Sequence, residues 1–255
     1  MRAALATLRA AMAEAWANPG AFWTQVIAMA VNDVAWVAFW LLFFDRAGEV
    51  RGWDSSRVLL LFAVLTTSAG LVLGLLANAR SVGTLAANGG LDALLALPVP
   101  PLAHLLVRRI DTANVGDLVF GVALFLVTGG PTPARLGIYV GGVLAASVLL
   151  TGFPLMTGSL AFFVGRGEAG DFGLHSILLL AAYPADIFTG APKLILYTVV
   201  PAAFVAGVPS TLVDDPDPRT ALALLGVAAA FGVAGWATFT LGLRRYTSGA
   251  VWTRA

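Results

Sequence analysis

Apolar windows of about 19 residues, broken at charges and at Pro/Gly clusters, define six long hydrophobic segments along the chain. They cover residues 22–44, 58–77, 114–130, 137–164, 172–189 and 220–243. The fourth is long enough to cross a bilayer at a tilt or to project beyond it. The pattern predicts an all-α, polytopic membrane fold with six transmembrane helices in one domain over residues 1–255. Two other stretches are apolar without reading as simple spans. In MRAALATLRAAMAEAWANPG, Arg9 and Glu14 interrupt the apolar positions, and Asn18-Pro19-Gly20 ends the run. This predicts an amphipathic helix over 1–19 lying on the membrane surface, not a cleaved secretory leader. Residues 190–212, from GAPKLILYTVVPAAFVAGVPSTLV, are broken by Pro192, Pro201 and Pro209. A re-entrant or interfacial hairpin on the outer side is expected there, since non-spanning backbone at membrane depth is tolerated where protein covers it.

The segment 78–111 between the second and third spans contains GGLDALLALPVPPLAHLLVRRID, Gly89 to Asp111. Gly89-Gly90 closes one element, and Asp92 favours the start of a short helix over Ala93 to Leu97 by complementing the helix dipole. Pro98, Pro100 and Pro101 stop that helix. A second one is expected over Leu102 to Ile110, with leucines on one face and Arg108-Arg109 at its end, where cations suit the dipole and the lipid headgroups. The segment reads either as a plain amphipathic connector or as a stiff knob that docks into another protein.

Composition narrows the class. Hydrophobic residues make up 59% of the 255 and charged residues 11%, against roughly 25% charged in soluble domains. A net charge of +1 gives no reason to expect a nucleic-acid partner. The chain has no cysteine, and its two histidines, His104 and His175, do not make a metal site. Lys193, the only lysine, sits in TGAPKL, outside any Gly-x-x-x-x-Gly-Lys-Ser/Thr loop. The chain therefore has no ATPase motif of that kind. With the N-terminus inside, nine basic residues fall on the inner side and six on the outer, which favours both termini in the cytoplasm.

Polar residues inside hydrocarbon mark transport pathways, because burying one is expensive. The candidates are Asn32 and Asp33 in the first span, Asp117 near the start of the third, His175 in the fifth, and Tyr183 and Asp186 at the fifth span's outer end. Asp33 could equally fix helix packing. Asp186 reads more readily as a cap beside Pro184, and Asp117 as an interfacial residue answering Arg108 or Arg109. Phe22, Trp23, Trp36, Phe39, Trp40, Phe43 and Phe44 suggest an interfacial belt. Gly70/Gly74 and Gly137/Gly141 have GxxxG spacing, which permits close helix approach.

Several of these pieces resemble one family. The surface helix, the Gly-x-Leu-Asp-x-Leu-Leu-x-x-Pro-x-x-Pro-Leu motif of Gly89 to Leu102, and Arg108-Arg109-Ile110-Asp111 are similar to the small six-helix bacterial branch of the ABC-2-type permeases. These are membrane subunits of ATP-binding-cassette exporters. AAYPADIFTGAPKLILYTVVPAAFVAGVPS (181–210) and LGLRRYTSGA (241–250) extend the likeness over nearly the whole chain. Gly90 and Leu97 depart from it, standing where that branch carries an acidic residue and an arginine.

The resemblance implies a non-enzymatic, multi-pass subunit of the bacterial inner membrane that dimerises with itself or a sister chain. It also implies cytoplasmic P-loop ATPase subunits as partners; these would bind ATP and Mg, and this chain would hold no cofactor. Gly90, Leu91, Asp92, Leu94, Leu95 and Pro98 would form the motor-coupling helix. Glu168 and Asp171, in the loop GRGEAGDF, would supply a second, smaller motor contact. A proton-driven carrier using Asp33 or His175, and a non-transport scaffold, are the alternative readings.

Overall fold

The computed structural model describes residues 6, 9–10, 12–14, 16–165 and 167–247. Residues 1–5, 7–8, 11 and 15 of the expected surface helix over 1–19, together with Arg166 and Ser248–Ala250 of the C-terminal motif, lie outside the described residues. The described part of the chain is helical and contains no strand, only an isolated bridge between Val50 and Trp53.

Helix α1 (Pro19–Ala47) starts where the Asn18 side chain accepts from the Ala21 N–H and Pro19 presets the first turn. It ends at Gly48, whose φ of +66° is open to glycine and costly for other residues. Asp54 caps α2 (Ser55–Leu75) through the Arg57 N–H. Short helices follow: α3 (Val82–Ala87), α4 (Asp92–Leu95) and α5 (Pro101–Leu106). The remaining elements are α6 (Val115–Thr128), α7 (Pro133–Ser159), α8 (Ala161–Val164), α9 (Ala169–Ala181), α10 (Ala191–Thr198), α11 (Gly207–Asp214) and α12 (Pro218–Leu243).

Four helical runs are long and apolar enough to cross a membrane: α1, α2, α7 with α8, and α12. A fifth is reached if the pair 191–198 and 202–214, bent by 61°, counts as one broken span. The expected third and fifth spans fold as shorter helices of 14 and 13 residues, each about 20 Å long at 1.5 Å per residue. Gly129, Gly130 and Pro131 stop α6, and Pro184 follows closely on the end of α9. Pro201 lies in the break between the two helices of this pair.

Close crossings depend on glycine at two places. A Cβ on Gly70 of α2 would meet the backbone of Leu118 and Asn114, and one on Gly121 of α6 would meet Thr66 and Thr67. Where α7 crosses α12, a Cβ on Gly152 would lie 2.6 Å from the Phe231 carbonyl oxygen. The second glycine pair noted in the sequence, Gly137/Gly141, meets nothing within 4 Å.

Every long helix runs between the same two ends. The 78–111 segment, the loop at 165–171 and the C-terminal end of α12 gather at one end. The starts of α2, α7 and α12 lie at the other with the 186–193 turn. Ion pairs fasten both: Arg80 to Asp171 (3.6 Å) at the first, Arg135 to Asp214 (2.7 Å) and Lys193 to Asp186 (2.7 Å) at the second.

Candidate functional site

Two sites emerge from this arrangement, a protruding segment at one end of the bundle and a polar cavity within it. The protruding segment is built on α4. Helix α4 spans Asp92–Leu95, shorter than the expected 93–97, and α5 ends at Leu106 instead of Ile110. Beyond α5 the backbone turns away: Asn78 donates to the carbonyls of Leu106 and Arg109, both at 3.1 Å, and holds the 106–109 loop against the end of α2.

The six coupling candidates divide by face. Leu91 and Leu94 are 2% and 5% exposed, packed in a cluster with Val82, Leu105, Leu155 of α7 and Phe239 of α12. They form the buried anchor of the segment. Gly90 is half-buried against Leu85; a Cβ there would approach the Leu85 side chain to 2.7 Å. Leu95, Leu97 and Pro98 face outward.

Asp92 is half-buried and turned inward as well. The Tyr246 hydroxyl, just beyond α12, donates to its Oδ1 at 2.9 Å, a link across 154 residues. The Tyr246 ring lies edge-on to Phe162 at 6.0 Å. Asp92 therefore ties the protruding helix to the end of the last long helix. Sequence reading missed Tyr246, since nothing local to it signals a partner so distant.

Glu168 is exposed, and Asp171 pairs with Arg80 in a solvent-facing contact. The loop carrying them lies close to α3: Gly167 sits against the Gly83–Thr84 backbone, and Gly170 against the Arg80 carbonyl.

The second site is a cavity of about 290 Å³ between α1, α2, α6 and α9. It brings together Asn32, Asp33 and His175, three of the pathway candidates, with Asn114, Asp117 and Thr66. Trp36, Phe62, Leu65 and Leu178 supply apolar wall. Asp33 sits mid-helix on α1 and is 6% exposed; Asp117, in the first turn of α6, is 5% exposed. Oδ2 of Asp33 and Oδ1 of Asp117 are buried without a hydrogen-bond partner. The two carboxyls are close enough to interact electrostatically.

Asp117 thus faces the same cavity as Asp33. It lies in the first turn of α6 with its side chain buried, and among the described residues no ion pair joins it to Arg108 or Arg109. Among the described residues no group of three or more His, Cys, Asp or Glu converges as a metal site.

Tyr183 and Asp186 lie apart from this cavity. Tyr183 packs edge-on against Trp36 and Trp40, with ring centroids 6.2 and 5.8 Å away. Asp186 accepts from Lys193 Nζ at 2.7 Å and from the Tyr197 hydroxyl at 3.3 Å, so it fastens the end of the 169–187 stretch to α10. The aromatics of α1 likewise do more than form a belt: Trp40 and Phe44 are buried in the main core with Trp53 and Phe62.

A family model described as ABC-2 family transporter protein matches residues 30–250. That match takes in both sites and most of the chain, and the chain belongs to this family: it is a multi-pass integral membrane protein and a component of a membrane transporter. Neither the curated proteins nor the solved structures yield a match.

Proposed function

We propose that this ABC-2 family member is the permease subunit of an ATP-binding-cassette exporter, pairing with a second permease chain and driven by separate cytoplasmic P-loop ATPase subunits. In this reading the whole chain is one transmembrane domain of six spans. The short helices α6 and α9 complete the third and fifth crossings with their flanking turns. The protein resides in the bacterial inner membrane with both termini in the cytoplasm. ATP and Mg belong to the partner ATPase.

One observation carries the proposal: Leu95 at the end of α4 and Leu97 and Pro98 in the turn after it form an exposed apolar rim, while the buried face of α4 is anchored in the bundle. An apolar rim of this kind at the polar end of a membrane protein suits a protein partner. A thrust on it would pass through Leu91 and Leu94 to Leu155 on α7 and Phe239 on α12, and through Asp92 to Tyr246. Closure of the ATPase pair would in this way tilt the long helices and open the pathway beside Asp33 outward. Glu168 and Asp171 would touch the same motor from the neighbouring loop.

Mild-detergent purification of the tagged chain from its native membrane, followed by an ATPase assay of the eluate, tests this reading. The expected result is a stoichiometric P-loop ATPase that is lost on Leu97→Asp while the chain still inserts. A chain that purifies alone under several gentle detergents would contradict it.

The presence of Asp33, Asp117 and His175 along one cavity favours one second reading, a proton-coupled carrier. Flux abolished by an uncoupler and indifferent to removal of the ATPase would establish that reading instead.

A further inference from the structure

We propose that the cavity bounded by Asp33 and Asp117 binds a hydrophobic organic cation, with the cationic group between the two carboxylates and the apolar body against Trp36, Phe62 and Leu178. The inference rests on the permease reading above and names the class of its cargo. No lysine or arginine lines the cavity. The ion pairs of the described residues, Arg80–Asp171, Arg135–Asp214 and Lys193–Asp186, involve neither aspartate. Two carboxyls, each more than nine-tenths buried and each with an oxygen lacking a partner, therefore face one space whose one basic lining side chain is the exposed His175.

A buried carboxylate is stabilised by an opposite charge or by hydrogen-bond donors, and here the protein leaves part of that capacity unfilled. An ammonium or aromatic iminium group would fill it. Indole and phenyl faces next to a carboxylate add cation–π attraction. The rest of the wall combines Leu65, Leu73 and Leu179 with the polar Thr66, Asn114 and His175; the apolar part favours an organic cation, which carries its own apolar surface. A volume of about 290 Å³ fits a compact polycyclic body. Among the described residues no group of three or more His, Cys, Asp or Glu could hold a metal ion, which disfavours a divalent metal.

The test uses the purified full-length chain in detergent, without ATP or ATPase, and ethidium as a fluorescent hydrophobic cation. Saturable binding is expected. Asp33→Asn and Asp117→Asn should each weaken it by about tenfold or more, and neutral phenanthridine should not compete. Because a carboxamide at either position could disturb folding, Asn32→Lys gives an independent arm. Asn32 lines the cavity and is exposed, so its replacement supplies an internal ammonium to the carboxylates. That variant should keep the thermal stability of the wild type and lose ethidium binding. Undiminished binding in Asn32→Lys or in the double Asp variant, or equal competition by phenanthridine, would overturn the proposal. Such a failure leaves the motor-coupling reading standing, since that is read by co-purification with an ATPase and does not depend on this cavity.

Discussion

Replacing Tyr246 by Phe removes one hydroxyl and leaves a ring that can keep its edge-on contact with Phe162. The hydroxyl donates to Asp92 at 2.9 Å in a half-buried setting. A hydrogen bond to a charged acceptor is worth roughly 1.5–3 kcal/mol net when buried, and solvent screening brings a half-exposed one to about 1 kcal/mol. At 1.4 kcal/mol per decade, the opening equilibrium of α4 should rise by about fivefold. The amides that report it are Leu94, Leu95 and Ala96, whose N–H groups bond to the carbonyls of Leu91, Leu91 and Asp92. Hydrogen exchange on Tyr246→Phe should therefore quicken by about that factor at 94–96 and stay unchanged in the middle of α7. In the assembled transporter the same variant should hydrolyse ATP with less transport per turnover, because a loosened α4 transmits less of the motor's stroke to α12. Exchange at 94–96 equal to wild type would refute the latch. So would loss of protection spread evenly over α7 and α12, since the hydroxyl would then hold the bundle and not the helix.

Further outcomes follow from the same contacts. Leu94→Ala should destabilise the 78–111 region by about 2–5 kcal/mol, the usual cost of emptying a buried leucine site, whereas Leu97→Asp should leave thermal stability within about 0.5 kcal/mol and abolish ATPase co-purification. Gly152→Val should lower the detergent melting temperature sharply, because its Cβ would stand 2.6 Å from the Phe231 carbonyl oxygen with backbone on both sides of the crossing. Asp217 caps α12 by accepting from the Thr220 N–H and hydroxyl, and these bonds hold its carboxyl below the usual carboxylate range. Its contribution is thus present above a pH of about 4 and is lost as pH falls through its own lower value; Asp217→Asn should flatten that acid dependence, read as exchange at the first turn of α12.

How much of this was legible from sequence can be traced residue by residue. The first, second, fourth and sixth spans were visible because long apolar runs have few other uses. The third and fifth were visible as apolar but not as short, since stops such as Gly129-Gly130 and Pro184 lie inside the windows that averaged them. The protruding helix was located from Asp92 and the prolines. Which leucines face out was not, because a helix of four residues has too little periodicity to define a face. Asn32, Asp33 and His175 were singled out as polar residues in hydrocarbon, yet their meeting with Asp117 and Asn114 depends on the packing of four helices, which no single segment encodes. Asp186 was read as a local cap; its actual partners, Lys193 and Tyr197, lie one helix further on.

The chain has no cysteine, so a single introduced thiol reports on one position alone, and this gives the most direct test of motor coupling. Leu97→Cys would be treated in native membranes with a short thiol-to-amine cross-linker, beside Asp215→Cys at the opposite end of the bundle. The account predicts an adduct with a P-loop ATPase at position 97 and none at 215. Absence of that adduct at 97, with the chain correctly inserted, or an equal adduct at 215, would contradict it.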